Sequence, residues 1–406
     1  MMTCTTVSVA GGEAKLDMAQ VLRAGVPLHV EQQKMPQHHW RTLRALMACR
    51  TPALGAHVYR CAACHREHFV PHSCRNRHCP TCQPARGADW MERQCELLLP
   101  IPYFHLVFTL PHSLNPLIAQ NQCALYELLF DAASTTLLEF GQNKFKASIG
   151  ITAVLHTWSQ TLNDHYHLHC IVTGGGLSED ASTWVSASKR WLFPVRALSK
   201  VYRGKFCAGL QQLFEAGGLG FHGQIQALKE PARFHALMHE ATRHKWVVYA
   251  KRPFNGPQTV LAYLARYTHR VGISDARLKT LDSQAQTITF NYKDYAHASQ
   301  HKAMTLMLTE FVRRFRLHIL PPRFTKIRHY GLLSNRGRTK RIEQARVLLP
   351  PVIKTTSQSP TTATEPAHGT TQRESMKCPH CEGTVFKLVR IIAFKRTQAP
   401  RINDSS

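Results

Sequence analysis

The spacing of apolar and polar positions divides the chain into a few strong elements. From Tyr103 the run YFHLVFTL is apolar and aromatic and stops at Pro111, which predicts a buried strand. Helical periodicity predicts a helix from about Pro116 to Phe140. Two further apolar runs, ASIGITAVLH and HYHLHCIVT, predict strands, the second ending in a turn at Gly174-Gly175-Gly176. KWVVYA predicts a strand, TVLAYLARYTHR a helix, and ARLKTLD with QTITFNYKD a strand pair. Around residues 302–319 the pattern predicts an amphipathic helix. Leu308, Phe311, Val312, Phe315 and Ile319 keep helical spacing there, with Arg313, Arg314 and Arg316 on or beside the other face. Strands and helices mixed in this order predict an α+β fold, a sheet with helices packed against it.

Breaks in the pattern predict the domains. Leu99-Pro100-Ile101-Pro102 closes an N-terminal segment, 1–99, from a larger one, 100–335. Residues 336–376 read as a linker, basic at first and then, from about Lys354 to Met376, rich in Thr, Ser, Gln and Pro and expected to be disordered. A short tail, 377–406, follows.

Charge narrows the possible partners. Lys and Arg total 51 against 25 Asp and Glu, a formal charge of +26 spread along 406 residues. A polyanion suits such a surface, because neutralising phosphates releases condensed counterions. A basic protein with no nucleic-acid role is the plainer alternative. The N-terminus lacks a basic region followed by an apolar core, and no apolar run reaches about 18 residues. The expectation is a cytoplasmic, DNA-associated protein with no membrane partner.

Of the 13 cysteines, most of those in the N-terminal segment lie between Cys49 and Cys95, and four form two C-x-x-C pairs. Cys61 and Cys64, then Cys79 and Cys82, predict a tetrahedral structural zinc, with Cys74, His72 or His78 able to replace one member. Such a site has no open position and does no chemistry. Arg75, Arg77 and Arg86 around the second pair point to contact with a DNA backbone.

The reactive groups lie further on. In HYHLHCIV, His165, His167 and His169 alternate, so a strand sends all three imidazoles to one face. A lone strand histidine is more often a satisfied polar residue; a set at period two favours a metal with open positions. The third ligand stays open among His165, Gln160 and His156. In TVLAYLARYTHR, Tyr263 and Tyr267 stand four apart and share a helix face, with Arg266, His269 and Arg270 as cationic phosphate donors. Two tyrosines alone are usually packing residues. Beside a metal that orients a scissile phosphate, a phenol with a pKa of about 10 becomes a usable nucleophile.

Several long blocks, SCRNRHCPTCQ, FHLVFTLPHSLNPL, HTWSQTLNDHYHLHCIVTGGGL, FPVRALSKVYRGKF and AYLARYTHRVGIS, occur in the order seen in the insertion sequence 91 family of HUH transposases, including its insertion sequence 801 branch. The chain resembles that family to about residue 335. The resemblance implies an antiparallel HUH-type sheet flanked by helices and preceded by a small zinc-binding domain. It also implies that His167-Leu168-His169 is the HUH element and that Tyr263 and Tyr267 are paired nucleophiles. Single-stranded DNA would be cut and rejoined through 5′-phosphotyrosine, with magnesium or manganese as the catalytic ion, in a rolling-circle-like transposition. A replication initiator or relaxase of the same chemistry, and a non-catalytic zinc-dependent DNA-binding protein, are the alternatives. Cys378-Pro379-His380-Cys381 is half a zinc knuckle with no later cysteine to complete it, and the sequence assigns it no function.

Overall fold

The computed structural model of the chain describes residues 15–188, 192–251, 260, 268–295, 297, 299–349 and 377–393. The chain runs through α1 (Met18–Gln32), α2 (Gln37–Met47), β1 (Ala56–Cys61), β2 (Glu67–Pro71), α3 (Gln83–Cys95), β3 (Tyr103–Thr109), α4 (Asn115–Gln120), α5 (Gln122–Phe145) and β4 (Ala147–Trp158). It continues with β5 (Asp164–Ser178), β6 (Trp184–Ser186), α6 (Val195–Glu215), α7 (Pro231–Arg243), β7 (Val248–Ala250), β8 (Leu278–Asp282) and β9 (Thr287–Asp294). The last elements are β10 (Gln300–Met307), α8 (Leu308–Leu317), β11 (Ile327–Gly331), α9 (Arg338–Leu348) and β12 (Phe386–Ile392). Contacts divide the chain into two discontinuous units, 1–85 with 273–313 and 367–406, and 86–272 with 314–366.

In the first unit β1 pairs antiparallel with β2 on one side and with β12 on the other, from Ala56↔Ile392 to Cys61↔Phe386. The C-terminal tail thus supplies, through β12, an edge strand of the N-terminal sheet. A capping box starts α1: the Asp17 carboxylate accepts from the Gln20 amide at 2.7 Å, and the Gln20 side chain accepts from the Asp17 amide at 2.9 Å. Gly25 of α1 lets α8 approach, since a Cβ there would stand 2.9 Å from Val312 Cγ2. Residues 302–307 are strand rather than the start of the expected helix. AMTLM alternates with period two and pairs with β9, from Gln300↔Asp294 to Met307↔Thr287, so the helix begins only at Leu308.

The second unit is built on an antiparallel sheet of order β11-β4-β5-β3-β7, with β6 on β5. On one face Phe104, Leu106 and Phe108 of β3, Ile151 and Leu155 of β4, and Leu168 and Val172 of β5 are buried. They share one core with Leu129 and Leu137 of α5 and with Tyr202 and Phe206 of α6. The alternate residues of the same strands form the other face, which is where the histidines lie. The three glycines do not end β5, which runs on to Ser178. They let neighbouring backbone approach, since a Cβ at Gly174 would lie 2.6 Å from Pro102 O and one at Gly176 2.4 Å from Ser148 O. α9 occupies the start of the stretch expected as linker. It buries Ile342 and Ala345 with Leu99, Ile101 and Leu332. Residues 350–376 lie outside the described residues.

Candidate metal centres

The register of three strands brings a group of imidazoles together. His167 of β5 sits opposite His156 of β4, and His169 opposite Val154 of β4 and Val107 of β3. Ligand atoms of His156, His167 and His169 all lie within 4.8 Å of one another, and the three residues are buried. Of the three alternatives for a third ligand, His156 stands in this group. His165 shares their face, but its ring stacks on His112, 5.5 Å between centroids, and it is not in the group.

Hydrogen bonds fix which nitrogen of each ring is available. His167 Nδ1 donates to the carbonyl of His165 at 2.8 Å, which leaves Nε2 with its lone pair. His169 Nδ1 pairs with His105 Nε2 at 2.9 Å, and the two rings stack 5.1 Å apart at 11°. His105, on β3, is a site residue that sequence reasoning missed. Its signal was a histidine inside the apolar run YFHLVFTL, at the parity of the histidine face. Burial, with His165 next, pulls His167 down to about 3, and burial, with His156 next, holds His169 well below its usual range. Both rings are neutral near pH 7, the form that binds a metal ion. Three protein nitrogens leave further coordination positions open.

The cysteines group differently from the expected set of Cys61, Cys64, Cys79 and Cys82. Cys49, Cys74, Cys79 and Cys82 form one cluster, and Cys61 and Cys64 meet Cys378 and Cys381 in another. The β1–β2 hairpin separates the two expected pairs. Cys61 and Cys64 lie at its turn, whereas Cys74, Cys79 and Cys82 follow its open end, roughly 17 Å away at the rise of a six-residue strand. In the first cluster Cys49 Sγ lies 3.5 Å from Cys82 Sγ and 3.6 Å from Cys79 Sγ, and Cys74 Sγ lies 3.7 Å from Cys82 Sγ. Hydrogen bonding to Cys74 and Cys82, then burial, pushes the Cys79 thiol up, while Cys74 and Cys79 hold Cys82 down. Thiols this close cannot all ionise unless a cation joins them.

Of the expected DNA contacts, Arg75 is exposed and in the left-handed backbone region (φ 51°), and Arg77 is half-buried. His269 is not the cation expected. Burial, then Lys326, Arg86 and Arg93, lowers it to about 4, and its Nδ1 lies 3.1 Å from Thr268 Oγ1. Its ring also packs against Trp90, 5.6 Å between centroids. Arg270 is near enough to depress both His167 and His169, and its carbonyl accepts from Lys326 Nζ at 3.3 Å. Tyr263, Arg266 and Tyr267 lie outside the described residues. Among the described residues no helix is long and apolar enough to cross a membrane.

Comparison with known proteins adds the class. Residues 150–341 match a family model described as "Putative transposase", and residues 21–110 match one described as "Transposase zinc-binding domain". The chain is 41% identical over 345 residues to "Putative transposase y4qJ" of Sinorhizobium fredii, covering 84% of this chain and 86% of that protein. It is 31% identical over 306 residues to the transposase for insertion sequence element IS801 of Pseudomonas savastanoi pv. phaseolicola, covering 73% and 70%. A solved conjugative relaxase, TrwC in complex with mutant OriT DNA, is similar at 20% identity over 27% of this chain and 44% of that one, with a TM-score of 0.23. These matches define a transposase with a zinc-binding domain. The chain belongs to the IS91/IS801 type of transposases. DNA is the partner its charge of +26 anticipates.

Proposed function

We propose that the chain cuts and rejoins single-stranded DNA through 5′-phosphotyrosine, with a divalent ion held by His156, His167 and His169 and with Tyr263 and Tyr267 as nucleophiles. The observation that carries this reading is the buried trio of imidazoles whose ligand atoms lie within 4.8 Å of one another. A bound divalent ion would offset the negative charge growing on the scissile phosphate. One tyrosine loses its phenolic proton and its oxygen attacks the phosphorus. The bond from phosphorus to the 3′ oxygen breaks, and that oxygen leaves as a hydroxyl after taking up a proton. The phosphate stays esterified to the tyrosine, so attack by a later 3′-hydroxyl reverses the step without ATP. The second tyrosine allows a second transfer. An all-imidazole donor set favours manganese over magnesium, which prefers oxygen ligands.

Arg75, Arg77 and Arg270 are assigned to backbone phosphates, and His269 to hydrogen bonding without charge. Cys49, Cys74, Cys79 and Cys82 are assigned a structural zinc. The test is a single-stranded element-end oligonucleotide incubated with the purified chain and manganese, read as a covalent adduct on a denaturing gel. Wild type forms the adduct and a fully duplex end does not. An adduct that persists when Tyr263→Phe is combined with Tyr267→Phe removes the tyrosine assignment.

A further inference from the structure

We propose that the chain binds a second structural zinc ion, held by Cys61 and Cys64 from near its start and by Cys378 and Cys381 from its tail, which closes a zinc ribbon out of segments more than 300 residues apart. The spacing of the sulfurs is the first argument. Cys61 Sγ lies 3.6 Å from Cys381 Sγ and Cys64 Sγ lies 3.5 Å from Cys378 Sγ. Four thiolates about 2.3 Å from one zinc stand roughly 3.8 Å apart along the edges of a tetrahedron, whereas a disulfide brings sulfurs to about 2.05 Å.

The two knuckles also share one backbone shape. The Cys61 amide donates to Arg66 O at 3.0 Å and the His65 amide to Cys61 O at 3.0 Å. In the tail the Cys378 amide donates to Gly383 O at 2.9 Å and the Glu382 amide to Cys378 O at 2.8 Å. The residue after each second cysteine, His65 or Glu382, is left-handed, with φ of 59° and 58°. Two segments with no sequence continuity have thus adopted the same turn, each presenting its sulfurs to the other.

The surroundings fit a closed site. Ala62 N donates to Val385 O at 2.9 Å, which extends the β1–β12 pairing up to the knuckles. His68 Nε2 lies 3.4 Å from Cys378 Sγ, where an N–H can support a thiolate from outside the metal shell. A Cβ at Gly383 would lie 3.3 Å from Cys61 Sγ and 3.4 Å from Cys381 Sγ, so a side chain there would crowd the sulfurs. Four thiolates select zinc over magnesium or manganese.

The experiment is zinc quantification on the full chain by plasma mass spectrometry after exhaustive dialysis. Wild type should carry two zinc ions per chain, and Cys378→Ser with Cys381→Ser should carry one. A wild type with a single equivalent, or a tail variant that still carries two, overturns the proposal. Cys381→His keeps a ligand atom at the position and should retain two equivalents, whereas Cys381→Ser alone should not. That pair decides the matter if the double serine variant loses all its metal through unfolding, and a histidine variant that loses the second ion overturns the proposal.

Discussion

The cysteine cluster of Cys49, Cys74, Cys79 and Cys82 and the histidine cluster of His156, His167 and His169 meet opposite demands. The cysteines sit where regular structure is short, at the end of α2 and after β2, and four thiolates complete a metal's shell. Metal binding there would contribute folding free energy that a small core cannot supply. The histidines project from long strands whose other face packs on α5 and α6, so their support exists before any ion arrives. Three ligands leave coordination open. In the proposed reading one kind of site holds the chain together and the other meets a phosphate, and the number of ligands, more than their burial, separates them.

The largest effect should come from emptying the open site. His167→Ala with His169→Ala is expected to lower adduct formation about a thousandfold, equivalent to roughly 4 kcal/mol of transition-state stabilisation. Zinc content and melting temperature should stay near wild type. If zinc content falls too, the two kinds of site are not independent and the comparison breaks.

Cys82→Ser should do the reverse. Losing several kcal/mol of metal-linked folding energy is expected to lower the melting temperature by about 10 °C or more, at roughly 2–4 °C per kcal/mol. Adduct should then fall only as the folded fraction falls, measured by calorimetry and adduct yield on the same preparation. A folded Cys82→Ser chain with normal melting would remove the structural role.

A smaller effect tests how the open site is held. His105 buttresses His169 without joining the group, so His105→Phe is expected to weaken manganese binding about 10–100-fold. Titrating manganese against adduct formation should shift the midpoint and largely restore the plateau at saturation. A lost plateau with an unmoved midpoint would mean that His105 acts on the chemistry itself.

Most of this second unit is legible in the residues. Period-two histidines in β5 mark the face on which the imidazoles gather, and the apolar runs of β3, β4 and β5 mark the sheet. Less legible was anything set by pairing at long range. His156 joins His167 because β4 pairs with β5, and no spacing within either strand fixes that register. Cys61 and Cys64 meet the tail cysteines because β12 adds to β1, while spacing along the chain points instead to the next C-x-x-C. The helix expected over residues 302–319 begins only at Leu308, since alternation in AMTLM and helical spacing after it meet where one element becomes the next.

The smallest expected effect separates burial from metal ligation. His318 holds no place in the histidine cluster, yet burial lowers it to about 4. Its Nε2 donates to Leu162 O at 3.0 Å, and its Nδ1 lies 3.2 Å from Thr157 Oγ1. The unfolded chain takes up a proton on this ring below its ordinary value near 6.5, whereas the folded chain does so only near 4. Stability from this residue is therefore complete above about pH 6.5 and is lost progressively as pH falls towards 4, amounting to on the order of 1 kcal/mol by pH 5.5. His318→Gln keeps an N–H donor for Leu162 O but cannot titrate. Between pH 7.5 and pH 5.5, with metal chelated from the histidine site, the variant's melting temperature should fall less than that of wild type. An equal fall in both would place the acid sensitivity on the metal-facing imidazoles or on carboxylates. Acid lability would then report the open site itself rather than the burial around it.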